Sequence, residues 1–162
     1  MKTNCIVMIG SPCTGKTTWC ENFLNNVSNR KDWIILSYDI IRENFFKEYE
    51  INEINESIVN EIFFASIKAC VEKKHIIIDN MNIDKFQLTK LFKSIGLSYN
   101  IKFKVMPLLS LEEIYQRQDS RISRYISREI LKSKHQKFKD FLQSDYFDEL
   151  IINKKIKENE SY

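Results

Sequence analysis

Three groups of residues in this chain have the types and spacings that chemistry needs. The first is Gly10-Ser11-Pro12-Cys13-Thr14-Gly15-Lys16-Thr17, which reads G-x-x-x-x-G-K-T and runs on into Thr18. Glycines at the two ends let the backbone turn and come close to an anion where a Cβ would obstruct it. Successive N–H groups then face inward as a cradle, backed by the positive end of the following helix. In such a loop the Lys16 amine reaches the β- and γ-phosphates of a nucleoside triphosphate, and the Thr17 hydroxyl suits Mg²⁺. A glycine turn matching by chance is the bland alternative. Against it stand the apolar run Ile6 to Ile9 before the loop and a helical pattern from Thr18 to Asn26 after it.

The second group is carboxylates that close apolar runs. Ile76-Ile77-Ile78 ends in Asp79, a pattern like a Walker B strand whose acid holds Mg²⁺, often through water. Trp33 to Leu36 leads to Asp39, with Arg42 three residues on. A carboxylate just past a strand end can take the proton of an attacking hydroxyl. At helical spacing Arg42 lies on the same side, where its fork suits an anionic group on the acceptor. A plain surface salt bridge is the competing reading of that pair. Asn80, not Glu, follows Asp79, and no Asn-Lys-x-Asp motif occurs. Both absences disfavour a motor ATPase or a GTPase switch and favour transfer to a bound acceptor.

The third group is basic. Arg117, Arg121, Arg124, Arg128 and Lys132 fall at steps of four, three, four and four. In one continuous helix all five share a face. Ile114 to Lys139 holds eight Lys or Arg against two acids, a local balance of +6. A row of like charges is destabilising alone, so an anion such as a triphosphate or a nucleic-acid backbone is expected opposite it. A solvated helix face is the alternative. A break near Ser120 to Ser123 removes the shared face but leaves an arginine-bearing lid, at about residues 115–128.

The elements that must position these groups alternate. Strands are expected at Ile6 to Ile9, Trp33 to Leu36, His75 to Ile78 and Asn100 to Met106, the last ended by Pro107. Helices are expected from Lys16 to Asn26, with Trp19, Phe23 and Val27 facing a sheet, and from Ile40 to Tyr49. Another should span Glu53 to Lys73, with Ile58, Ile62, Ala65 and Ala69 as its apolar stripe. Asp84 caps a helix carrying Phe86, Leu88, Leu91 and Phe92, and Ser110-Leu-Glu-Glu opens one with a capping box. That last helix is expected to run to about Phe141. The tail 144–162 is unassigned apart from a short strand at Leu150 to Ile152. Alternating strands and helices imply an α/β fold, a central parallel sheet with helices on both faces. Ligands in such sheets bind beyond the carboxyl ends of the strands, where the loop, Asp39 and Asp79 all fall.

The chain of 162 residues is 43% hydrophobic and 29% charged with a net charge of +3, as expected of one globular domain over 1–162. Cys5, Cys13, Cys20 and Cys70 show no metal or redox spacing, which favours a reduced, cytosolic protein (the host cytoplasm for a phage or viral product). Cys13, at a helix N-terminus, is either a reactive thiol or a small loop filler. No signal peptide and no membrane-length apolar run is seen.

Together these elements resemble the kinase domain of the 5′-polynucleotide kinase family, found in phage RNA-repair and animal DNA-repair enzymes. Ile9 to Trp19 is similar to its P-loop, Tyr38-Asp39-Ile-Ile-Arg42 to its D-x-x-R element, and Asp79-Asn80-Met81-Asn82 to its D-N-T-N element. Arg117 to Arg121 is similar to its lid. The resemblance implies a P-loop kinase fold with an Arg-bearing lid, and transfer of the ATP γ-phosphate, with Mg²⁺, to the 5′-hydroxyl end of a nucleic acid. It makes Asp39 the general base and Arg42 the contact to the phosphate on the 3′ side of the terminal nucleotide. Arg121 first and Arg117 second would stabilise the transition state. Asp79, Asn82 and Arg124 are further candidates for holding substrate. Met81 stands where Thr is expected, and no D-x-D-x-[TV] phosphatase motif occurs, so phosphate addition without 3′-end trimming is expected. A small-molecule P-loop kinase and a non-catalytic nucleotide-binding module are the rivals. DNA against RNA, strandedness and oligomeric state stay open, and ATP over GTP rests on the resemblance.

Overall fold

The computed structural model describes residues 3–49, 53–121 and 125–152. Four strands form one parallel sheet in the order β2-β3-β1-β4: β1 (Thr3–Ile9), β2 (Trp33–Leu36), β3 (His75–Ile78) and β4 (Tyr99–Val105). Both faces of the central strand are covered, which is why its sequence is a continuous apolar run rather than an alternation. Cys5, Val7 and Ile9 enter the larger core with Ile76, Ile78 and Phe103. Ile6 and Met8 face the other way, onto Cys20, Trp33, Ile77 and Met106. All five of these β1 side chains are fully buried. At about 1.5–3 kcal/mol for each large aliphatic residue, this strand anchors the loop that follows it.

The smaller core is closed by α1 (Lys16–Asn26), whose Trp19, Phe23 and Val27 lie against it as expected. The larger core is closed by α3 (Glu56–Cys70), α4 (Lys85–Ile95), α6 (Arg128–Leu142) and α7 (Asp145–Ile151). The helices thus cover both faces of the sheet. Caps set several of their starts. Asp84 accepts from Gln87 N at α4, and Ser110 and Glu113 form a capping box at α5 (Leu111–Asp119).

Four expectations are corrected. The buried stripe of α3 is Val59, Phe63, Phe64 and Ile67, while Ile58 is 44% exposed and Ala65 and Ala69 face out. Both stripes obey helical spacing, and the one with two phenylalanines buries more apolar area. The helix after Trp33–Leu36 is α2 (Tyr38–Phe46), capped by Ser37, so Asp39 sits in its first turn rather than ahead of the helix. The basic stretch is not one helix: α5 ends at Asp119 and α6 begins at Arg128, capped by Ser127. Arg117 on α5 and Arg128 and Lys132 on α6 therefore share no helical face. Leu150 to Ile152 is no strand, because Ser144 caps Phe147 N and starts α7 through it. No helix among the described residues is long and apolar enough to cross a membrane.

Candidate active site

The phosphate loop leaves β1 at Gly10, whose N–H donates to Met81 O at 3.1 Å. A Cβ on Gly10 would lie 2.8 Å from Met106 Cβ and 2.9 Å from Thr14 Oγ1, so close approach dictates glycine there. Gly15 is needed for a different reason. Its φ of +91° turns the chain into α1 with no side-chain cap, which leaves the helix N-terminus open toward the loop. Cys13 also has positive φ, +63°. Ser11 and Thr14 are buried and joined, Thr14 Oγ1 donating to Ser11 O at 2.8 Å. Pro12 is half-buried in the turn, and Thr18 is exposed on α1.

Lys16 folds back into the loop, its amine donating to Ser11 O at 2.7 Å and Gly10 O at 3.1 Å. Burial lowers its pKa from 10.5 to about 8, against the opposing charges of Asp79 and Asp39. Asp79, at the end of β3, accepts from the Thr17 hydroxyl at 2.7 Å. Burial raises its carboxyl above the usual range, while the Thr17 bond and the Lys16 charge pull it back. A hydroxyl and a carboxylate meeting beside the cradle are hard oxygen donors, the set that suits Mg²⁺. Among the described residues no three or more His, Cys, Asp or Glu gather as a metal cage, so the fit rests on Thr17 and Asp79.

Asp39 and Arg42 meet on α2, Nη1 donating to Asp39 Oδ1 at 2.7 Å. The spacing pointed to this contact. It did not point to Glu56 of α3, which accepts from Arg42 Nε at 2.9 Å and Nη2 at 2.7 Å. Asn80 was also missed: its Oδ1 accepts from Tyr38 N at 3.0 Å and so holds the start of α2 against the end of β3. Asn82, with φ of +50°, donates its amide to Met8 O at 2.6 Å and more loosely to Asn80 O and Ile78 O. It ties β1 to β3.

The lid arginines converge on Cys13. Arg117 Nη1 lies 3.4 Å from Cys13 O and Arg121 Nη1 lies 3.7 Å from its Sγ. Gln118, buried on α5, accepts from the same thiol at 3.6 Å. A glutamine on a polar helix carries no sequence signal for this. Arg128 turns away to Asp119, at 3.2 Å, and over the Tyr115 ring. Arg124 lies outside the described residues.

The profile of the AAA_33 family, an AAA domain, matches residues 5–143. The chain belongs to that family. Among curated proteins none matches this AAA_33 chain. Among solved structures it is similar to a chain of the Pnkp1/Rnl/Hen1 RNA repair complex, at 20% identity and TM-score 0.74. That likeness covers 93% of this chain and 46% of the other, so the AAA_33 chain spans about half of its relative's length. Kti12 of Chaetomium thermophilum, solved with ADP-AlF3, matches at 16% identity and TM-score 0.63, covering 82% of this chain and 79% of that one. A gluconokinase from Sinorhizobium meliloti 1021 matches at 15% and 0.53, covering 83% and 74%. At these identities the likeness is one of fold, and the fold is that of α/β P-loop kinases.

Proposed function

We propose that this chain transfers the γ-phosphate of ATP to the 5′-hydroxyl end of a nucleic acid. The observation that carries the reading is the Asp39–Arg42 pair on the first turns of α2, close enough to the loop for the Asp39 charge to act on Lys16. A base and an anion-gripping fork side by side suit an acceptor that presents a hydroxyl and a neighbouring phosphate.

The loop amides and Lys16 hold the β- and γ-phosphates in line. Thr17 and Asp79 would hold Mg²⁺, which when bound neutralises charge on those phosphates. The 5′-oxygen attacks the γ-phosphorus, and the bond to the β–γ bridging oxygen breaks to release ADP. Asp39 takes the hydroxyl proton. Arg121 and Arg117, already lying on the loop, stabilise the charge spread over the transferred group.

A small-molecule acceptor is the alternative, since Glu56 and Asp39 leave the Arg42 fork one N–H on each terminal nitrogen for an anion. The test offers γ-labelled ATP with Mg²⁺ to a 5′-hydroxyl oligonucleotide and, separately, to nucleosides and 5′-mononucleotides. Label at the oligonucleotide 5′ end, lost in Asp39→Ala, is the expected result. Label on small acceptors alone, or near-native turnover by Asp39→Ala, overturns the acceptor or the base respectively. ATP binding without transfer to anything makes this a nucleotide-binding module.

A further inference from the structure

α2 and α3 are joined by two rungs. Tyr38 Oη donates to Asn60 Oδ1 at 3.0 Å, and one turn along α2 Arg42 meets Glu56, one turn back along α3. The two rungs do different jobs. The Tyr38–Asn60 rung sits over Phe63, whose ring centroid is 4.4 Å from that of Tyr38, and belongs to the packing of the helix pair. The Glu56 rung acts on a charge. Arg42 is only 20% exposed, and Glu56 takes its Nε and Nη2 with both carboxylate oxygens. Asp39 takes one N–H of Nη1. A guanidinium has five N–H groups, so one remains on each terminal nitrogen.

Without Glu56 the fork keeps, among the described residues, Asp39, a neighbour on its own helix that is 69% exposed, and the ring of Tyr38 on the same helix, whose centroid is 6.0 Å away. A long side chain held only from its own helix has more rotamers, and ordering it on binding lowers affinity. Held at two edges by carboxylates on two helices, it keeps one orientation. We infer that Glu56 is a positioning residue, which fixes the Arg42 fork so that its remaining terminal N–H groups select acceptors with a phosphate beside the terminal nucleoside. This rests on the proposed role of Arg42 toward the acceptor.

The readout is a ratio. Adenosine 3′-monophosphate and adenosine are compared as acceptors, by kcat/KM and by equilibrium binding to the nucleotide-loaded protein, so that slow chemistry does not hide the effect. The unaltered protein should prefer the phosphorylated acceptor, and Arg42→Ala should erase that preference. Glu56→Ala should reduce it about tenfold, a part of what a well-placed charged hydrogen bond contributes. Glu56→Gln keeps one acceptor oxygen and should lose about half as much on a logarithmic scale. Asn60→Ala breaks the other rung and should leave the ratio within about twofold, which separates orientation of the fork from loosening of the helix pair. A ratio unchanged in both Glu56 variants yet erased in Arg42→Ala overturns the inference and leaves the Arg42 role standing. A ratio that rises in Glu56→Ala also overturns it, since Glu56 would then compete with the acceptor. A ratio insensitive to Arg42→Ala removes the Arg42 role itself, and the inference with it.

Discussion

A methyl group on Gly10 tests how tightly the phosphate loop is fitted to its surroundings. Its carbon would sit 2.8 Å from Met106 Cβ, 3.0 Å from Met106 Cγ and 2.9 Å from Thr14 Oγ1. Carbon atoms in good contact stand about 3.5–4.0 Å apart. A Cγ can rotate aside, but a Cβ goes where the backbone goes, and Met106 N is bonded to Ile9 O at 2.8 Å. Relief therefore requires the loop to move away from the end of β4. Overpacking of this kind costs about 1–3 kcal/mol, or a fall in melting temperature of about 3–10 °C for a chain of this size. Because the displaced atoms are the cradle, ATP affinity should fall about tenfold or more. Thermal denaturation and nucleotide titration of Gly10→Ala measure both. The rescue pattern is the sharper check. Gly10→Ala with Met106→Ala keeps the offending Cβ and should recover little, whereas Gly10→Ala with Met106→Gly removes it and should recover more, up to the part owed to the remaining 2.9 Å contact with Thr14 Oγ1. Gly15→Ala should respond to neither, since its nearest neighbours would be 3.8 and 4.0 Å away and its cost is the φ of +91°. Equal rescue by Met106→Ala and Met106→Gly, or a Gly10→Ala protein that melts and binds as the parent, refutes the reasoning.

The Lys16 amine, with its pKa lowered to about 8 by burial, makes stability and binding depend on pH. Between about pH 8 and 10.5 the unfolded chain binds more protons than the native one, so this group's contribution to stability rises with pH across that window. A triphosphate restores the charged form. At pH 8.5 nucleotide binding should therefore take up about three-quarters of a proton. Calorimetry in buffers of different ionisation enthalpy reads this, and uptake equal to that of Lys16→Arg, whose side chain stays charged, counts against it. Arg121→Ala should lower kcat by about 100-fold or more with nucleotide affinity little changed, and Arg117→Ala should do so to a lesser degree. Single-turnover rates with saturating acceptor decide this, and an unchanged rate in both variants removes the lid from the mechanism.

The parts of this molecule that could be read from its sequence are those specified by neighbours along the chain. The G-x-x-x-x-G-K-T loop is one covalent unit, and the strands beside it are buried on both faces and so are written as apolar runs. The caps at Asp84 and Ser110 reach three residues. What could not be read depends on volume or on distant partners. In α3 two stripes fit one helical period, and only packing against the sheet chooses Phe63 and Phe64. No Gly or Pro stands between Asp119 and Arg128, yet α5 ends at Asp119. The legible signal was Ser127, three residues before Ile130, whose N–H it caps. Ser144 before Phe147 was the same signal, masked by the apolar Leu150-Ile151-Ile152. Glu56 lies fourteen residues from Arg42 on another helix, and no pattern along the chain links them.

The stretch Asp79 to Asn82 shows why a departure from the expected motif need not disturb the site. These four consecutive residues reach α1, α2, the phosphate loop and β1. Asp79 receives the Thr17 hydroxyl of α1, and Asn80 caps the Tyr38 amide of α2. Met81 offers its carbonyl to Gly10 N, and Asn82 donates to Met8 O of β1. Where a parallel sheet ends, backbone groups that lose their ladder partners must find others, and here one segment supplies them for β1 and α2 together. Met81 takes part through its main chain, so the hydroxyl it lacks is not needed for this bond. Asn80 and Asn82 take part through amides, and a carboxylate at either position would add charge beside Asp79. The proposed base on α2 and the proposed metal-binding acid just past β3 are thereby held by one short piece of chain. A shift of that piece moves the phosphate loop and the acceptor side together.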